Sequence, residues 1–147
     1  MLLTQALLLT TLTAAAPSSE AVKSVFDHFY HGQGQGLVLG QAELCKKIEK
    51  ADKERRNDCV ESFGASAAKG DLVNVYLVGV VPKGDKAELM IQASHEGIVR
   101  TTKDVTLEGK YIRARTWRGF KLTKPGKWEF KVIEGSKVLQ TMAITAE

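Results

Sequence analysis

Seven cations, Lys110, Arg113, Arg115, Arg118, Lys121, Lys124 and Lys127, recur every two or three residues with no acid between Glu108 and Glu129. Tyr111, Trp117, Phe120 and Trp128 are interleaved with them. Arginine offers a planar, bidentate donor fork and stacks on aromatic faces, so this pattern suits anions or sugar rings. Period-two alternation along YIRARTW puts Ile112, Ala114 and Thr116 on one face and Tyr111, Arg113, Arg115 and Trp117 on the other. If the small set faces a core, the arginines and aromatics face outward, and Arg113, Arg115, Trp117, Arg118 and Lys121 form the candidate binding surface. The competing use of the same charges is protective, with lysines and arginines guarding a sheet face or edge against aggregation.

The charge is unevenly distributed. Residues 98–147 hold 11 basic and 5 acidic side chains, whereas residues 1–97 hold 10 and 12, within a chain of net charge +4 and pI about 9.1. A basic surplus of this kind favours nonspecific, salt-sensitive contact with polyanions.

Other chemistry finds less support. His28 and His31 lie three apart beside Asp27 without a third ligand, and no metal site is expected. The chain has no G-x-S-x-G, no H-E-x-x-H and no phosphate-cradling loop, and HGQGQG lacks the Lys-Ser/Thr of a P-loop. No catalytic residue and no cofactor are expected, and the chain reads as a non-enzyme.

The elements that must position the basic stretch follow from the rest of the pattern. The opening MLLTQALLLTTLTAAAPSS carries no charge and has an apolar run from Leu2 to Leu12, followed by small alanines. It reads as a removable signal peptide over 1–16, too short for the roughly 20 apolar residues of a membrane anchor. The mature protein is then expected to be periplasmic or secreted, without a transmembrane span. Residues 17–36 read as an amphipathic helix, from about Glu20 to His31, with Val22, Val25, Phe26, Phe29 and Tyr30 at helical spacing, followed by a glycine-rich linker.

In an exported domain, Cys45 and Cys59 are expected to pair. A bridge of that span contributes roughly 3 kcal/mol on the chain-entropy account. Residues 37–63 can be written either as a long charged helix or as strand, loop and strand. A continuous helix would hold the cysteines roughly 20 Å apart, beyond the 7 Å limit for a bridge. Strands near 37–48 and 58–63, joined by EKADKERRND, are therefore the favoured reading.

Downstream, DLVNVYLVGVV is apolar at consecutive positions, as a strand buried between layers would be. AELMIQAS, IVRTTKDVTL, YIRARTW, WEFKVI and KVLQTMAIT follow as short strands, separated by His95-Glu96-Gly97, Glu108-Gly109, Pro125-Gly126 and Glu134-Gly135-Ser136. Trp128, Phe130 and Val132 should share one core-facing side. In the last strand either Leu139, Thr141 and Ala143 or Val138, Met142 and Ile144 complete the layer. The fold class is mainly β, an immunoglobulin-like antiparallel β-sandwich over 37–147 preceded by a short N-terminal helix.

Trp117-Arg118, then Gly126, Trp128, Phe130 and Val132, then Gly135 and Leu139 also carry a resemblance. The run resembles the C-terminal half of a family of uncharacterised immunoglobulin-like domains, of unknown function, in bacterial envelope proteins. The resemblance covers about Asp71 to Glu147 and implies a sandwich fold and an envelope location, with no assigned chemistry. The functional expectation is an exported binding or interaction module. It would engage an anionic polysaccharide, lipopolysaccharide phosphates or an acidic envelope protein, and no specific nucleic acid. The alternative is a structural subunit that assembles through its N-terminal helix.

Overall fold

The structure is a computed structural model that describes residues 18–26, 36–50, 57–109 and 114–147. A short helical stretch, α1 (Ser19–Phe26), precedes nine strands. These are β1 (Val38–Glu49), β2 (Asp58–Ser62), β3 (Ser66–Ala67), β4 (Leu72–Val80), β5 (Lys86–His95), β6 (Ile98–Glu108), β7 (Ala114–Lys121), β8 (Gly126–Glu134) and β9 (Lys137–Ala146). The expected signal peptide, the helix beyond Phe26 and the linker through Gln35 lie outside the described residues, as do His28 and His31. No helix among the described residues is long and apolar enough to cross a membrane.

The strands form two sheets, ordered β2-β1-β4-β7 and β3-β9-β8-β5-β6. All pairings are antiparallel except the two-residue β3, which runs parallel to β9. The sheets face each other across one core. Val73, Val75 and Leu77 of β4 and Phe120 of β7 meet Leu89, Ile91 and Ala93 of β5 and Trp128, Phe130 and Val132 of β8. Phe120 and Phe130 pack across the gap with ring centroids 5.3 Å apart, tilted as aromatic pairs prefer. Each large apolar side chain taken out of water contributes roughly 1.5–3 kcal/mol, so this layer dominates stability.

β4 is buried on both faces from Val75 to Gly79, where its sequence carries no charged or amide side chain. Its second face, bearing Tyr76 and Val78, packs against Cys45, Ile48, Cys59 and Trp117 in a smaller cluster. The cysteines are joined, with Cα atoms 5.9 Å apart, and β1 and β2 are antiparallel, so the strand-loop-strand reading of 37–63 holds over its described residues. Asn57 adopts the left-handed conformation, φ 59°, that lets the chain re-enter β2. Its N–H donates to Glu49 O at 2.6 Å and its carbonyl accepts from the Tyr76 hydroxyl at 2.7 Å. Asparagine tolerates that conformation better than most residues.

In β9 neither expected set is complete. The register against β8 shifts between Val132 and Ile133, pairing them with Gln140 and Val138 and leaving Leu139 as the extra residue. Strict alternation is broken there. Leu139 and Met142 are half-buried against the core and Ile144 and Ala146 are buried, whereas Val138 is exposed.

Candidate binding groove at the open edge of the sandwich

β7 positions the basic stretch, and its pairing with β4 decides which way each side chain points. Directly opposite residues share a face. Arg115, opposite Val78, and Trp117, opposite Tyr76, lie on the sheet's outer face, over the disulfide cluster. Arg118, opposite the core residue Val75, lies on the inner side. The five candidate residues therefore do not form one row. Arg113 lies outside the described residues.

The outer-face members are engaged. Arg115 Nη2 pairs with Asp58 Oδ1 at 3.3 Å, and both side chains are only 27% exposed. Trp117 stacks on Tyr76 with centroids 6.5 Å apart, and Lys50 Nζ stands 5.9 Å from the Trp117 ring. The disulfide-bonded hairpin thus gives this face a cover of its own.

On the inner side, β6 and β7 are edge strands on the same flank of the two sheets. They are joined by side chains. Lys103 Nζ donates to Gly119 O at 2.5 Å and sits 4.9 Å above the Phe120 ring. Arg118 Nε donates to Asp104 O at 3.2 Å, and its Nη1 to Trp117 O at 2.9 Å. Both cations satisfy carbonyls on strand edges, where an unpaired carbonyl would invite a foreign strand.

Beside this clasp runs a groove of about 370 Å³, lined by Ala93, Arg100, Thr101, Lys103, Phe120, Lys121, Thr123, Lys124 and Trp128. It exists because β6 outreaches the opposite sheet: Thr101 and Lys103 are paired with the core-facing Ala93 and Ile91, yet both are exposed. Arg100 is the extra residue of a bulge, since β5 Ala93 and Ser94 pair with Thr101 and Val99. The floor is apolar, Phe120 and Trp128 being buried, and the rim is cationic. Buried rings cannot stack on a ligand, so recognition here rests on charge and on the two threonine hydroxyls.

The groove's lower wall is pinned. Trp128 Nε1 donates to Lys124 O at 2.9 Å, and the buried His95 holds Pro125 O 2.7 Å from its Nε2. A carbonyl only accepts, so Nε2 carries the proton.

Of the four expected site residues that are described, Arg115, Trp117, Arg118 and Lys121, only Lys121 lines this groove. Arg100 and Lys103 were missed, and Lys124 was noted only as part of the charge run. The surplus charge of residues 98–147 was the available signal, but it holds no register between β5 and β6. No group of three or more His, Cys, Asp or Glu among the described residues is placed to hold a metal ion.

No protein-family model matches the sequence, and no curated protein matches it either. Among solved structures, an immunoglobulin-like protein from Pseudomonas aeruginosa superposes over 79% of this chain and 100% of its own, with TM-score 0.50 and 14% identity. The fold is immunoglobulin-like. At that identity the likeness speaks for the fold alone. A β-glucosidase from Erythrobacter marinus and one from Bifidobacterium adolescentis also match, at TM-scores of 0.49 and 0.40 and 12% and 7% identity. Each covers 76% of this chain, but the matched parts are 15% and 17% of those enzymes and decide nothing about this immunoglobulin-like chain.

Proposed function

We propose that this immunoglobulin-like chain is an exported, non-catalytic binding module that engages an anionic polymer or acidic partner through the groove between β6 and β7. The observation that carries the reading is the groove's lining, in which Arg100, Lys103, Lys121 and Lys124 stand over an apolar floor with no carboxylate among the described lining residues. Arg100, Lys121 and Lys124 are exposed, so a polyanion can reach them with little desolvation cost. Lys103 and Arg118 serve the fold first, and their contribution to a ligand is secondary. The Cys45–Cys59 bridge supports an oxidising, exported setting.

Retention on immobilised heparin tests the proposal. A Lys121→Glu/Lys124→Glu double variant should elute at markedly lower salt than the parent while melting at the same temperature. Undiminished retention of that folded variant would overturn the groove as the contact surface.

A further inference from the structure

The end of the sandwich next to the groove carries a feature that anion binding does not require. Ile98 and Val99, the first two residues of β6, are 57% and 50% exposed. They stand immediately after the Glu96-Gly97 turn, whose φ values of 49° and 78° make it a tight two-residue hairpin. Ile98 is paired with the core-facing His95 and Val99 with Ser94, so the two aliphatic side chains leave opposite faces of the strand.

This tip is held rigidly. Glu96 N donates to Lys127 O at 2.9 Å, and Lys127 N donates to the Glu96 carboxylate at 2.7 Å. With the His95–Pro125 contact, these bonds rivet the β5–β6 turn to the loop that leads into β8. Across residues 95–101 and 121–128 there are four cations, Arg100, Lys121, Lys124 and Lys127, against one carboxylate, that of Glu96. All four cations are exposed.

We infer that this tip docks on an anionic lipid surface, with Ile98 and Val99 entering the headgroup region and the four cations pairing with lipid phosphates. The placement of the aliphatic pair selects the partner. A protein laid against one sheet face would cover only one of the two side chains, whereas a fluid interface that surrounds the tip covers both. Apolar insertion ringed by basic residues is the general composition of interfacial membrane binding. The inference rests on the proposed role of Lys121 and Lys124 as anion-binding residues and adds a specific source for the anion.

The test is sedimentation of the full chain with vesicles, run in parallel with heparin retention. Vesicles containing phosphatidylglycerol should carry the protein down, and vesicles of phosphatidylcholine alone should not. An Ile98→Ser/Val99→Ser variant, altered only at exposed positions, should partition roughly tenfold less onto phosphatidylglycerol vesicles, with heparin retention unchanged. Equal partitioning of the folded serine variant would overturn docking by the tip and leave the groove reading standing. Retention on heparin with no vesicle binding by the parent would also overturn the inference alone. Loss of both activities in the parent would sink the two readings together.

Discussion

Lys103 and Arg118 cap each other's strands. From β6, the Lys103 ammonium donates to the carbonyl of Gly119 on β7, and from β7 the Arg118 guanidinium donates to the carbonyl of Asp104 on β6. The exchange closes the flank on which both sheets end, and it places two conspicuous cations in the service of the fold. It also separates them from Arg100, Lys121 and Lys124, whose side chains line the groove.

Breaking the clasp should cost stability modestly and solubility more visibly. A Lys103→Ala/Arg118→Ala variant loses exposed charge-assisted hydrogen bonds worth about 1 kcal/mol each. That corresponds to a fall in melting temperature of several degrees for a domain of this size. The uncovered edge carbonyls should raise the association measured by light scattering at high concentration. A variant that melts and scatters like the parent would show that the edges are protected by other means.

Charge reversal at Arg115 should behave unlike charge reversal at Lys121. Arg115→Glu places a carboxylate against Asp58 in a site where both partners are about three-quarters covered, and the thermal midpoint should drop, with Asp58→Lys in the same chain restoring part of the loss. The pair itself, half-buried rather than exposed, is worth on the order of 1 kcal/mol. Lys121→Glu, at an exposed position, should leave the midpoint in place. Loss of heparin retention in Arg115→Glu is therefore uninformative unless the melting curve is measured beside it.

Removing the bridge with Cys45→Ala/Cys59→Ala should lower stability by roughly 3 kcal/mol in denaturant titration. Because Cys45, Cys59, Tyr76 and Trp117 share one cluster, the loss should also move Trp117 emission to longer wavelength as water enters beneath the hairpin. An unshifted spectrum would mean that the Tyr76–Asn57 hydrogen bond and the apolar contacts suffice to keep the cover in place.

Gly126→Ala should damage the tip from within. Gly126 has φ 118°, a conformation that side-chain-bearing residues avoid, and a Cβ there would meet the Glu96 carboxylate and stand 3.1 Å from His95 Nε2. A cost of roughly 1–3 kcal/mol is expected, read as a lower unfolding midpoint. Faster amide exchange at Glu96 and Lys127 should accompany it, and protection equal to that of the parent would refute the account of the rivet.

Local chemistry made most of the architecture legible in the sequence. The VYLVGVV part of DLVNVYLVGVV had to be covered on both sides because it offers no charged face, and Trp128, Phe130 and Val132 had to share a face because strand side chains alternate. The spacing of Cys45 and Cys59 ruled out a bridge within one continuous helix and favoured a hairpin. The resemblance over Asp71 to Glu147 implied an immunoglobulin-like sandwich, and two facing sheets are what the chain forms.

Where alternation is interrupted, the sequence alone misleads. One extra residue near Leu139 changed the phase of β9, and one near Arg100 turned that side chain toward the groove. Alternation within β7 separates Arg118 from Arg115 and Trp117 correctly, yet the identity of what each face meets depends on strands tens of residues away. The composition of residues 98–147 determined that this protein would carry a concentrated positive charge. Only the tertiary structure decided which cations close an edge, which pair beside the disulfide cluster and which line the groove, because a side chain's partners are set by register and sheet order, which join positions that are distant in the chain.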